Sequence, residues 1–327
     1  MAHMLTESDT MVAIGKAPWH GLGTVLPEGS HLTLAEALEY AGLSVPVTKA
    51  PAYALLADGS YARIPDGYAT VRGSDPLASV GKDYTVLQDA VGMAPLEEAI
   101  QDGRARWETM GRLRGGRVVW GLARLNASFE VLPGDEVSTY ALVSNSHDGS
   151  RKACVSLTPI RVVCHNTLTA SDAGKTASNS QDARHTSGVV ATITSGAQRL
   201  GIIREQIQAT AEVYRAMAAT SLTAARILSY VTEIYPDPED KDTSNVRVRN
   251  IREAILKLHE DGYGHEIPGV RGSLWGAYNA ITEYVDHERG GKITAAKADT
   301  RLESVWFGSG RALKARAMEV AKGMVRA

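Results

Sequence analysis

The sequence predicts an α+β protein, with an N-terminal antiparallel sheet and a few helices followed by an all-helical C-terminal half. Three observations predict it. Between Ala52 and Val163, one helical stretch apart, short apolar runs alternate with polar residues and are punctuated by turn signals, which is strand patterning. Residues 169–187, TASDAGKTASNSQDARHTS, hold almost no large apolar group and read as a linker. Beyond them Val190, Ile193, Ala197, Leu200, Ile203, Ile207, Ala211, Tyr214 and Ala218 recur every three or four positions, the spacing of one face of a long helix. The expected organisation is an α+β core domain over 1–168, a linker over 169–187 and a helical domain over 188–327.

Each element has its own local reason. Residues 1–31 look irregular and include the turn-rich motif PWHGLG at 18–23. Residues 33–42 read as a short helix, with Thr33 as cap, Glu36 completing a capping box and Gly42 ending it. The runs YALL, YARI, YATVR and SVGKDYTVL read as strands, with turns at Asp58-Gly59 and Asp66-Gly67. A helix follows at about 88–101. RWETMGRL, RVVWGLARL and SFEVL read as strands separated by Gly115-Gly116 and Asn126. Residues 137–145 and 152–157 add two more strands, Thr158-Pro159 sits where a hairpin would turn, and IRVVC follows. In the C-terminal half, helices fit about 188–219, 222–234, 245–260, 273–288 and 295–325.

Composition excludes several classes. Apolar content of 44% and charged content of 22% describe a globular chain, not a disordered or fibrous one. Net charge is −2, so a nucleic-acid binder would have to concentrate its positive charge locally. Two cysteines, Cys154 and Cys164, make no disulfide framework and suit a reducing compartment. No apolar run approaches the roughly 18 residues of a membrane span, and MAHMLTESDT has no signal-peptide pattern, so the expected location is the cytoplasm.

The densest set of reactive side chains lies between Ser144 and Leu168, SNSHDGSRKACVSLTPIRVVCHNTL. His147, Asp148, Cys154, Cys164 and His165 are metal-ligand types, but no C-x-x-C or H-x₃₋₅-H pair exists, and no metal is expected. Cys164 and His165 are adjacent, so on a strand they would point to opposite faces and make a poor nucleophile–base pair. Gly174, Lys175 and Thr176 end like a phosphate loop, but Thr169 stands where its first glycine belongs. No cofactor is expected. Positive charge is more informative. Arg104, Arg106, Arg112, Arg114, Arg117 and Arg124 crowd the strands that carry Trp107 and Trp120, with Glu108 alone opposing them, and Arg151, Lys152 and Arg161 follow. A second basic cluster runs through Lys297, Arg301, Arg311, Lys314, Arg316, Lys322 and Arg326.

PWHGLG at 18–23, SHDGS at 146–150, RVVCHNTL at 161–168, LWGAYNAITEYVDH at 274–287 and WFGSGRALK at 306–314 occur in one order along the chain. Together they resemble the phage/plasmid-like protein family, domain of unknown function 932. The resemblance implies a bacterial or phage cytoplasm and a role in the biology of mobile DNA, and carries over no catalytic residue. A helix, an antiparallel sheet and a hairpin leading into a helix is also similar in layout to phage single-strand annealing proteins, an analogy at the level of fold alone.

The leading expectation is therefore single-stranded DNA binding, extending to strand annealing. Arg112, Arg114, Arg117, Arg151, Lys152 and Arg161 would meet phosphates, Trp107, Trp120 or Tyr140 would offer stacking faces, and His147 and Asn166 would make polar contacts. The helix at 188–219 would either drive assembly into a homo-oligomer or pack within the chain. Two other readings stay open: an enzyme acting on nucleic acid or nucleotides through His147, Asp148, His165 and Asn166, and a host-interaction module without chemistry.

Overall fold

A computed structural model describes residues 10–15, 23–163, 180–198, 203–238, 246–290, 304–306 and 308–326. Most of PWHGLG, Cys164, His165, Asn166, the Lys175-Thr176 loop, Lys297 and Arg301 lie outside these residues. The fold is mixed α and β. The strands are β1 (Met11–Ile14), β2 (Thr24–Leu26), β3 (Val47–Leu55), β4 (Tyr61–Arg72), β5 (Asp75–Gly81), β6 (Ala105–Leu113), β7 (Val118–Glu130), β8 (Glu136–Ser146), β9 (Ala153–Arg161) and β10 (Ser180–Ala183). The helices are α1 (Leu34–Tyr40), α2 (Asp89–Met93), α3 (Glu97–Gln101), α4 (Val189–Gln198), α5 (Ile203–Ala219), α6 (Ala224–Ile234), α7 (Val246–Asp261), α8 (Leu274–Glu283) and α9 (Ser309–Arg326).

Seven strands form the large sheet in the order β10-β9-β8-β7-β6-β1-β2, and β3-β4-β5 form a second, small sheet. Every pairing is antiparallel except β1 with β2. Period-two alternation divides the large sheet's side chains between two cores. Trp107, Val119, Ala141 and Val155 pack with α1, α2 and α4 on one side, and Met11, Trp120, Leu122 and Leu142 pack with Val305 and Trp306 on the other. A third core gathers α5 to α9, and Val131, just past β7, and Val137 of β8 enter it.

Several expectations need correction. The first 31 residues are not all irregular: the four residues of β1 are buried in the large sheet. Asp66-Gly67 is not a turn. Asp66 takes a φ of 55° and the pairing with β3 shifts register there, so β4 continues through it, and the chain reverses at Gly73, φ 61°. Thr158-Pro159 lies inside β9 opposite Tyr140 and Thr139. β10 pairs with β9 only over 153–156, so among the described residues Pro159 has β8 alone as neighbour, an edge position of the kind that tolerates proline. Asn126 interrupts nothing, since β7 runs on past it with a register shift between Arg124 and Ser128.

The C-terminal half is helical but not purely so, because β10 falls in the stretch read as a linker and a β-bridge joins Ser221 to Ser273. The single long helix expected over 188–219 is described as α4 and α5. Their apolar faces are used inside the chain, Val189 and Ile193 in the α1–α2–α4 core and Tyr214 and Met217 in the helical core.

Candidate nucleic-acid interface

β7 and β8 pair from Val118↔Ser146 inward, so the β6–β7 turn and the β8–β9 turn lie side by side at one end of the large sheet. The His147 N–H donates to the Arg117 carbonyl at 2.7 Å and ties the two turns together. The β6–β7 turn has three successive residues at positive φ, Arg114 at 55°, Gly115 at 65° and Gly116 at 87°. The β8–β9 turn is an Asx turn, with the Ser150 N–H donating to Asp148 Oδ1 at 2.9 Å. Ser146 Oγ braces its far side, accepting from the Arg151 N–H at 3.1 Å and donating to the Arg151 carbonyl at 3.0 Å. Arg114, Arg117 and Lys152 are exposed on these turns, and Arg112 and Arg151 are half-buried beside them. Lys152 Nζ is 3.7 Å from Asp182, a half-exposed pair that costs little to separate.

A buried network holds this end rigid. Asp89 accepts from Arg72 Nη1 at 2.7 Å and lies 2.8 Å from His147 Nε2. Arg72 Nη1 also donates to the Val45 carbonyl at 3.1 Å. Thr70 Oγ1 donates to the His147 carbonyl at 2.7 Å, and Tyr84 Oη to the Ser146 carbonyl at 2.6 Å. Tyr84 stacks on His185 with ring centroids 4.7 Å apart. Burial raises the Tyr84 phenol and lowers the His185 imidazole, so both stay neutral at physiological pH. A fixed scaffold of this kind spares the turns the entropy of ordering when they meet a ligand.

The residues predicted for binding thus separate into two groups. Arg112, Arg114, Arg117, Arg151 and Lys152 are brought together at this end. Trp120, His147 and Arg161 are fully buried, as are Trp107 and, nearly, Tyr140, so none offers a surface contact or a stacking face in this structure. Trp120 sits opposite Gly111 and Ser144, where a Cβ on Gly111 would collide with its ring. Arg106 and Arg124 lie on the same face as Trp120, farther along the sheet and beside Glu108, whose carboxyl burial raises against the pull of both arginines. Asn166 lies outside the described residues.

Arg161 belongs to a second polar network at the far end of β9, ten residues of β8 and so roughly 33 Å from His147. Its Nε and Nη2 donate to the two oxygens of Asp135 at 2.6 and 2.8 Å, a bidentate pair. Its Nη1 and Nη2 also reach the carbonyls of Tyr263 and Gly264 at 3.1 and 3.2 Å. Trp275 Nε1 donates to Asp135 Oδ2 at 2.8 Å. Nearby, burial pushes Glu283 up to about 7 against the Tyr263 N–H it accepts. Burial, with His259 close by, pushes His265 down to about 4. The network joins Arg161 of RVVCHNTL to Trp275 of LWGAYN, so it fastens the sheet to the helices.

The sequence did not reveal Arg72, Asp89 or Asp135. Each is a charged residue in an unremarkable local pattern, and only tertiary packing buries it. Among the described residues no group of three or more His, Cys, Asp or Glu could hold a metal ion, and no helix is long and apolar enough to cross a membrane. No curated protein and no solved structure matches the chain. A family model described as a domain of unknown function (DUF932) matches residues 76–306, a segment that includes both basic turns, Asp89, Asp135, Arg161 and Trp275. The chain belongs to the DUF932 family.

Proposed function

We propose that this protein binds single-stranded nucleic acid through the paired turns 114–117 and 147–152, as part of the DNA metabolism of a phage or other mobile element. The observation that carries the reading is the tied pair of turns, which sets Arg114, Arg117, Arg151 and Lys152 on one rigid end of the sheet in a chain of net charge −2. Guanidinium and ammonium groups gathered on adjacent turns suit a phosphate backbone, and binding there releases counterions. Holding a strand this way needs no nucleotide or metal, and leaves bases open for pairing with a second strand.

The test is fluorescence anisotropy with a labelled single-stranded oligonucleotide across a salt series. Wild type should bind and lose affinity steeply with salt. The combined variant Arg114→Glu/Arg117→Glu/Lys152→Glu should bind at least tenfold more weakly. The slope of log affinity on log salt should fall by about 2, at about 0.7 per lost single-strand phosphate contact. An unchanged slope, or no wild-type binding at low salt, refutes the reading. Protein-stimulated pairing of complementary strands without added nucleotide tests the narrower annealing role.

A further inference from the structure

We propose that the distal β3–β4 ribbon is a stacking platform for the bases of a bound single strand, an inference that rests on the nucleic-acid reading above and names where its base contacts lie. β5 covers β4 only over 67–72, so among the described residues the ribbon beyond, with Tyr53↔Arg63, Ala54↔Ala62 and Leu55↔Tyr61 as cross-strand pairs, is two-stranded. Alternation places Tyr53, Leu55, Tyr61 and Arg63 on one face and the small residues Ala54 and Ala62 on the other. That face is open, with Tyr53 55%, Leu55 66% and Tyr61 73% exposed. The aromatic row continues inward, where Arg63 Nη2 donates to the Tyr68 hydroxyl at 3.3 Å and Lys49 Nζ lies 4.5 Å from the Tyr68 ring centre.

Two further observations identify the occupant. The first is charge. Arg63 is exposed among the rings, Lys49 beside Tyr68 also donates to the Lys82 and Tyr84 carbonyls, and of the ribbon's two carboxylates Asp58 keeps its charge at the far turn while Asp66 faces a lysine. Asp58 accepts from the Ser60 N–H and hydroxyl at 2.9 and 2.7 Å, and Asp66 faces Lys82 at 3.8 Å. Flat π-faces match the exposed rings and a phosphate matches the exposed Arg63, and unpaired nucleotides offer both. The second is continuity. The strand that carries Tyr61 and Arg63 also carries Thr70 and Arg72, which anchor the basic turns through His147 and Asp89. A strand whose phosphates lie on Arg114 and Arg117 can therefore lay its bases along β4. The ribbon precedes the family-matched segment at 76–306 and adds to the site from outside it. It also supplies the stacking faces that buried Trp107 and Trp120 do not.

The experiment compares wild type with Tyr53→Ala, Tyr61→Ala and the corresponding Phe variants. Each is measured against an oligothymidylate and an abasic strand of equal length, in DNA and RNA forms. Wild type should prefer the base-bearing strand. Each Ala variant should lose roughly five- to 150-fold in affinity for it, the equivalent of one stacked base, while the salt slope stays unchanged and the preference over the abasic strand shrinks. The Phe variants should bind like wild type. Circular dichroism and melting confirm the fold, since both tyrosines are exposed. If wild type binds strands but the Ala variants keep full affinity and preference, the platform is overturned and the basic-turn reading stands. If the Ala changes instead convert a dimer to a monomer in sedimentation without touching strand binding, the ribbon is a self-association surface and the proposal fails. If wild type binds no strand at all, the nucleic-acid reading fails first and the platform with it.

Discussion

Asp135→Ala tests the strongest energetic claim in the molecule. Asp135 and Arg161 are both fully buried, and the carboxylate accepts three hydrogen bonds of 2.6 to 2.8 Å from Arg161 and Trp275. Removing it takes from a buried guanidinium its one described carboxylate partner, and from a buried indole N–H its described acceptor. Stranding a buried charge costs about 3–5 kcal/mol, and the indole N–H adds about 1 kcal/mol or more. Against a total stability of about 5–15 kcal/mol, the change removes roughly a quarter of it or more. Guanidinium unfolding followed by far-UV ellipticity and tryptophan fluorescence reads the loss, and coincident curves license the free-energy arithmetic. The companion Arg161→Met should cost a similar amount, because it leaves the Asp135 carboxylate with the indole alone. The double variant Asp135→Leu/Arg161→Met will not be neutral, since the two carbonyls lose their donor. It must nonetheless cost less than the two single changes added. A loss below about 1 kcal/mol for Asp135→Ala would mean that water reaches Arg161, and the account of this network would be wrong.

Three other expectations follow from the same structure. Gly111→Ala forces a methyl into the Trp120 ring and to within 2.8 Å of Met11 Cβ, so it should cost about 1–3 kcal/mol by overpacking in the same unfolding assay. Glu283, held up at about 7, contributes stability that is full below its unfolded value near 4.5 and is lost as pH rises through 7. His265, held down at about 4, contributes stability that is full above 6.5 and is lost as pH falls toward 4. Glu283→Gln should therefore raise the denaturation midpoint most above pH 7, His265→Asn should flatten the acid limb, and unchanged pH profiles would contradict both. In a Cys164→Ser background, Cys154, whose thiol burial pushes up to about 12, should react with a disulfide reagent at pH 8 only after unfolding; fast native labelling would show it accessible.

Much of the strand content was legible because hairpin chemistry is local. Asp58-Gly59 and Gly115-Gly116 mark real reversals, and the Thr33–Glu36 capping box forms with the Thr33 N–H donating to Glu36 at 2.8 Å. Asp66-Gly67 misled because a left-handed Asp serves a bulge as readily as a turn, and the choice depends on what pairs opposite. Thr158-Pro159 misled because a proline's tolerance depends on whether a third strand reaches it. At the candidate site, clustering of arginine was readable but its facing was not. Arg112 and Arg114 are two residues apart, yet one is half-buried and the other exposed because the strand ends between them. Arg161 carried the same chemistry as its neighbours and became a structural bolt, because its acceptors come from positions 135, 263 and 264, far away in sequence.

That bolt bears on how the chain is made. On the ribosome, Arg161 emerges 26 residues after Asp135, and Tyr263, Gly264 and Trp275 follow more than 100 residues later still. At roughly 5–20 residues per second the two charges wait several seconds or more for their remaining partners. In that interval the end of β8 and β9, with Val131 and Val137, has no helical core to enter. That apolar end of the sheet stays uncovered until the last third of the chain arrives to close it.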